Sequence, residues 1–186
     1  MQAAEPPQGH APFQIDDEVY LELHQADEGG GSAALGGTLC HDLLQLREIS
    51  HHASHLLATI RKQQPEVGHY LSLLDRKIEL LAQMVAGLGM GEGVAETQRV
   101  SLGPEGMHFE GPVMLSTNTP LRLRMILLPS HLCLQLAARV VGCEAQPSGS
   151  YRIELRFENI GELQQDALIR HLLERQSAAL RQQRDS

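Results

Sequence analysis

Between Tyr70 and Gly93 the apolar residues fall at Leu71, Leu74, Ile78, Leu81, Val85 and Leu88, with gaps of three, four, three, four and three. That is an unbroken heptad seam, the pattern by which one helix buries a face against another. Ahead of it, Leu39, Leu46, Ile49, Ala53, Leu56 and Ile60 keep mostly the same spacing. Pro65 must interrupt that run, because proline has no N–H and collides with the preceding turn. The pattern predicts two helices, about 39–62 and 65–88, joined near Pro65 as an antiparallel hairpin or as one kinked rod. Thr38 is suited to cap the first, with Asp42 in its opening turn.

From Val94 the period changes to two. TQRVSL, GMHFEG, PLRLRMILL, LQLAARVVGCE and YRIELRFENI read as five strands, separated by the turn signals GPEG, NTP, LPSH and QPSGS. Ile153, Leu155 and Phe157 alternate with Arg152, Glu154 and Arg156, which marks a half-buried antiparallel sheet. A final helix, Gly161 to Arg184, carries Ile169, Leu172, Leu173 and Leu180. Val19, Leu21 and Leu23 predict one more short strand near residues 13–24. The expected organisation is a flexible segment 1–37 with that possible strand, a helical segment 38–91, and a β-rich segment 94–186 ending in the helix.

Composition removes several classes of function. The 186 residues are long enough for a real core, and 42 % of them are hydrophobic. Aromatics make up 3 %, with no Trp, so a stacking platform for nucleic acid is not expected. A formal charge of −8 argues against a phosphate backbone as partner. No run suits a membrane span and no leader pattern opens the chain, so a cytoplasmic protein is expected. Cys40, Cys133 and Cys143 have no framework spacing and are expected as reduced thiols.

Candidate chemistry is thin. His51 and His55 share a helix face, but no His-Glu-x-x-His motif surrounds them, so no metal is expected. Ser101 and Ser130 lack a Gly-x-Ser-x-Gly setting. GLGMGEG follows a helix rather than linking a strand to one, so it is no phosphate loop. Asp16, Asp17 and Glu18 read as a solvated strand edge. No enzyme and no cofactor is expected.

The strand pattern, the closing helix and RVSLGPEGMHF together resemble the PilZ domains, bacterial barrels best known as receptors for cyclic di-GMP. That family carries an Arg-x-x-x-Arg stretch and then an Asp/Asn-x-Ser-x-x-Gly turn. Here Ser101, Gly103 and Gly106 stand at the three turn positions, and only Gly106 matches. Ahead of the turn Arg47, Arg61, Arg76 and Arg99 include no two at the required spacing; Arg152 and Arg156 have it on a later strand. The layout of LLDRKIELLAQMVAGL before LGPEGMHFEGP is similar to the atypical, tetrameric PilZ proteins of proteobacteria.

The resemblance implies an α+β fold: a small antiparallel PilZ-like β-barrel with a C-terminal helix, preceded by two heptad-bearing helices that oligomerise. It also implies a non-enzymatic signalling adaptor in motility or cyclic di-GMP pathways, acting through an unidentified protein partner. Arginine forks to a nucleotide contribute roughly 1.5–3 kcal/mol each, so their loss would erase micromolar binding. The alternative is a direct receptor for cyclic di-GMP or another nucleotide, using residues such as Arg99, Arg122 or Arg124. Six large apolar seam residues represent about 10 kcal/mol of burial, which predicts a homo-oligomer, with a tetramer implied by the resemblance.

Overall fold

Alternating burial along the strands shows how the sheet is built. In β4 (Pro120–Leu127) Leu121, Leu123 and Met125 are buried between Arg122 and Arg124. In β6 (Tyr151–Glu158) Ile153, Leu155 and Phe157 alternate with Arg152, Glu154 and Arg156. A computed structural model of the chain describes residues 13–25, 32–88 and 96–184. With β1 (Ile15–Gln25), β2 (Gln98–Leu102), β3 (Gly106–Gly111) and β5 (Leu132–Ala145), these strands close a barrel in the order β1-β2-β3-β6-β5-β4. Every pairing is antiparallel. The fold is therefore the expected α+β barrel with two preceding helices and a closing one.

The short strand expected near residues 13–24 is eleven residues long and closes the barrel between β2 and β4. Closure removes the unpaired edges that an open sheet would leave. Val19, Leu123, Met125, Leu127 and Val140 lie at 0 % exposure in the interior. The closing helix, α3 (Glu162–Arg184), adds Ala167, Leu168 and Leu172 to the same core.

Two helices precede β2. The first, α1 (Ser32–Gln63), starts earlier than expected, so Thr38 is an interior helical residue and not its cap. The second, α2 (Pro65–Leu88), starts at the proline, whose missing N–H costs nothing in a first turn. They form an antiparallel hairpin: Cys40 packs with Ala86 at one end, and Arg61 meets Gly68 at the other. A Cβ on Gly68 would lie 2.6 Å from the Arg61 Cα, so only glycine admits this corner. The open end of the hairpin rests on the barrel. Cys40 and Ala86 bury Ile126 and Cys133 from outside, so both faces of β4 and β5 are covered there. That second layer is why alternation fails at Met125, Ile126 and Leu127.

The docking also corrects the expectation of three reduced thiols. Cys40 on α1 and Cys133 on β5 form a disulfide across 93 residues of sequence, and Cys143 is free. Spacing along the chain could not reveal a pair made by tertiary docking.

Candidate functional site

The turn between β2 and β3 is tight. Gly103 N–H donates to the Gly106 carbonyl at 2.9 Å, and Phe157 N–H on β6 donates to the Glu105 carbonyl at 2.8 Å. A Cβ on Gly106 would lie 2.3 Å from the Leu155 carbonyl oxygen. The glycine is required because the neighbouring strand passes directly against it. Ser101 points outward, where its hydroxyl lies 3.3 Å from the Gln14 side-chain oxygen.

Beside this turn the outer faces of β1, β2, β3 and β6 form a cleft of about 800 Å³. Pairing register aligns Asp16, Ser101, His108 and Glu154 across the four strands. The cleft is lined by Arg99, Arg152 and Arg175 but also by Asp16, Asp17, Glu18 and Glu110. Three guanidinium groups thus stand among four carboxylates, and the arginines are partly engaged. Arg99 lies 3.5 Å from Glu18. Arg152 donates to His108 Nε2 at 3.0 Å. Burial, and after it the Arg152 charge, hold the His108 imidazole below its ordinary value, with Glu154 and Asp16 partly offsetting them.

At the cleft's inner edge, Asp17 corrects the expectation of a solvated acidic edge. It is 4 % exposed and faces α3. Its carboxylate accepts from the Glu18 N–H at 3.0 Å and from His171 Nε2 at 2.6 Å. Arg175 Nε lies 2.9 Å from Oδ1, the oxygen that also accepts from the Glu18 N–H. The sequence hinted at this only through the period of β1, which puts residue 17 on the same side as Val19. His171 Nδ1 reaches Ser130 Oγ at 3.5 Å. An aspartate, a histidine and a serine thus lie in line, but the cavity beside Ser130 holds only about 30 Å³, room for about one water. The three fasten α3 to the barrel.

The helical hairpin presents the other candidate surface. On α2 the inner seam is made of small and polar residues: Gly68, Ser72, Asp75, Glu79, Ala82, Gln83 and Ala86 are buried or half-buried. The leucines face outward. Leu74, Ile78, Leu81 and Val85 are exposed, at 37 to 61 %, and Leu71 is half-buried. The side chain of Leu88 lies outside the described residues. A second row, Tyr70, Leu73, Leu80 and Met84, is also exposed, as are Ile49 and Leu56 on α1.

No protein-family profile matches the chain, and no curated protein sequence matches it. Solved structures do. A protein of Xanthomonas campestris superposes with a TM-score of 0.56 and 18 % identity, over 92 % of this chain and 90 % of that one. It is described as a tetrameric PilZ domain self-assembled via an unusual helical bundle. This chain has a PilZ fold. Two further structures are similar over part of the chain. Escherichia coli YcgR in complex with cyclic di-GMP covers 52 % of this chain and 42 % of its own (16 % identity, TM-score 0.40). Bacillus subtilis MotI covers 45 % and 44 % (21 % identity, TM-score 0.37).

On the PilZ fold, Ser101, Gly103 and Gly106 occupy the β2–β3 hairpin beside the cleft, and Arg99 lines the cleft. The other two arginines considered for a ligand lie elsewhere. Arg124 is held by Glu22 on β1, with its Nε 2.8 Å from the carboxylate, and Arg122 faces outward on the same strand. Sequence reasoning missed Arg152, Arg175 and His108 as neighbours, because strand pairing and α3 bring them together from separate segments. His51 and His55 stand exposed on α1. Among the described residues no cluster suits a metal ion, and no helix is long and apolar enough to cross a membrane.

Proposed function

We propose that this chain is a non-enzymatic, cytoplasmic PilZ-type signalling adaptor that self-assembles through α1 and α2, does not grip cyclic di-GMP in the usual way, and acts on protein partners in motility or cyclic di-GMP pathways. Residues 38–91 are the assembly segment. Residues 94–186, completed by the strand at residues 15–25, are the barrel that meets partners. The observation that carries this reading is the inversion of α2: its small and polar residues face inward, and Leu73, Leu74, Ile78, Leu80, Leu81 and Val85 face out. Water-facing leucines at heptad spacing are buried when another helix packs on them. The helical bundle of the Xanthomonas protein, on the same fold, supports a tetramer.

The test is the molar mass of the purified chain by light scattering, with Leu74→Asp/Leu81→Asp as the variant. The wild type should be an oligomer and the variant a folded monomer, because neither leucine belongs to the barrel core. A variant of unchanged mass would sink the proposal.

The cleft favours a second reading, a nucleotide receptor using Arg99, Arg152 and Arg175. Its carboxylates argue against it, because a phosphodiester dianion placed there meets Asp16, Glu18 and Glu110. Calorimetric titration with cyclic di-GMP should give no heat up to high micromolar ligand. Saturable micromolar binding would instead make the chain a direct receptor.

A further inference from the structure

Lys77 stands in the middle of the exposed row Tyr70, Leu73, Lys77, Leu80 and Met84. Its neighbours three and four residues away are Leu73, Leu74, Leu80 and Leu81, so no carboxylate of its own helix is placed to meet it. Among the described residues no ion pair reaches Lys77 from elsewhere in the chain. A partner helix that covered this row with apolar side chains alone would strand a buried ammonium, which is strongly unfavourable.

The row itself carries the complementary charge. Extended one step toward the hairpin corner it begins at Glu66, which is exposed and likewise without an ion pair among the described residues. The gaps from Glu66 to Tyr70, Leu73 and Lys77 are four, three and four, the same read in either direction. Two copies of α2 laid antiparallel about the midpoint of this run place Glu66 of each level with Lys77 of the other, and Tyr70 of each level with Leu73 of the other. A parallel, in-register pair would stack Lys77 on Lys77.

Resting on the self-assembly reading above, we propose that α2 packs antiparallel on α2 of a second copy over Glu66–Lys77, each Lys77 seated against Glu66 of the other chain. The contact is two-fold symmetric and self-complementary, as closed homo-oligomers require. It uses the edge of α2 that faces away from α1, leaving the heptad seam at Leu74, Ile78 and Leu81 for another neighbour. A helix with one apolar row serves one contact; α2 has two rows and serves two. Lys77 also selects against the parallel alternative, the role a single charged residue plays in an apolar helical interface.

The experiment is sedimentation velocity of the full chain over a concentration series, for the wild type, Lys77→Glu, Glu66→Lys and the double exchange. Both residues are exposed, so the variants keep the monomer fold, and circular dichroism checks this. Each single exchange should weaken one association step by at least about tenfold, and the double exchange should restore it to within about twofold. Single exchanges that leave assembly untouched, or a double exchange no better than either single one, would overturn the contact while leaving self-assembly standing. A wild type that stays monomeric at every concentration would overturn both.

Discussion

His108 shows how a single residue reports on the cleft. It accepts from Arg152 and lines the groove at half-burial. Burial lowers its proton affinity first, and the arginine's charge lowers it further. The folded chain therefore stays neutral at this position under conditions that protonate the unfolded chain. Stability from this group is present above the ordinary histidine value of about 6.5 and is lost as the pH falls from there toward the lower folded value. Replacing Arg152 with Gln should move the His108 titration upward when followed by NMR of the imidazole. An unshifted curve would mean that burial alone sets it. Asp17 teaches the complementary lesson. Two acidic neighbours suggested a solvated edge, yet a strand turns alternate side chains inward, and Asp17 is the one that turns. What makes its burial tolerable, His171 and Arg175, lies more than 150 residues away on α3.

At the scale of elements, periodicity carried most of the information. All five strands after residue 94 were legible because one face of each meets the core, and period two has few other causes. The heptad gaps of α2 likewise located a helix. What the gaps could not tell is which side of that helix the chain itself covers. Leucines are the natural choice for an inner seam, but α2 presents Gly68, Ser72, Ala82 and Ala86 there. Small residues let two helix backbones approach closely, as the Arg61–Gly68 contact shows. The leucines then become surplus to the single chain. Charge pairs between strands were beyond reach for another reason. Arg124 meets Glu22 only because β1 pairs with β4, a register set by barrel closure. Burial raises the Glu22 carboxyl, but the hydrogen bond and charge of Arg124, with help from His24, outweigh it and hold the carboxyl below its ordinary value.

The whole molecule is a barrel with a lever of two helices fastened to its wall. Leu44, Cys40 and Ala86 embed the base of the lever, Arg47 donates to the Ser130 carbonyl at 2.9 Å, and Arg170 on α3 reaches Glu48 at 2.8 Å. The disulfide between Cys40 and Cys133 is the covalent part of that attachment. Closing a loop of 93 residues removes freedom from the unfolded chain, a stabilisation of about 4.6 kcal/mol in the chain-entropy description. Cys40→Ser/Cys133→Ser should lower the unfolding midpoint by several degrees. Equal melting of the oxidised wild type and this variant would show that noncovalent packing holds the lever alone.

That bond also decides how the chain would carry a mechanical load. Pulled by its two ends, the polypeptide transmits tension from residue 1 to Cys40, across the sulfurs, and onward from Cys133. The hairpin and the strands β2 to β4 sit in a bypassed ring. Only β1, β5, β6, α3 and the segments beside them can be drawn out, so the stretched molecule reaches roughly half the length that 186 residues would span. A handle attached at either end can thus strip the barrel's remaining strands while no force passes along α1 beyond Cys40 or along α2.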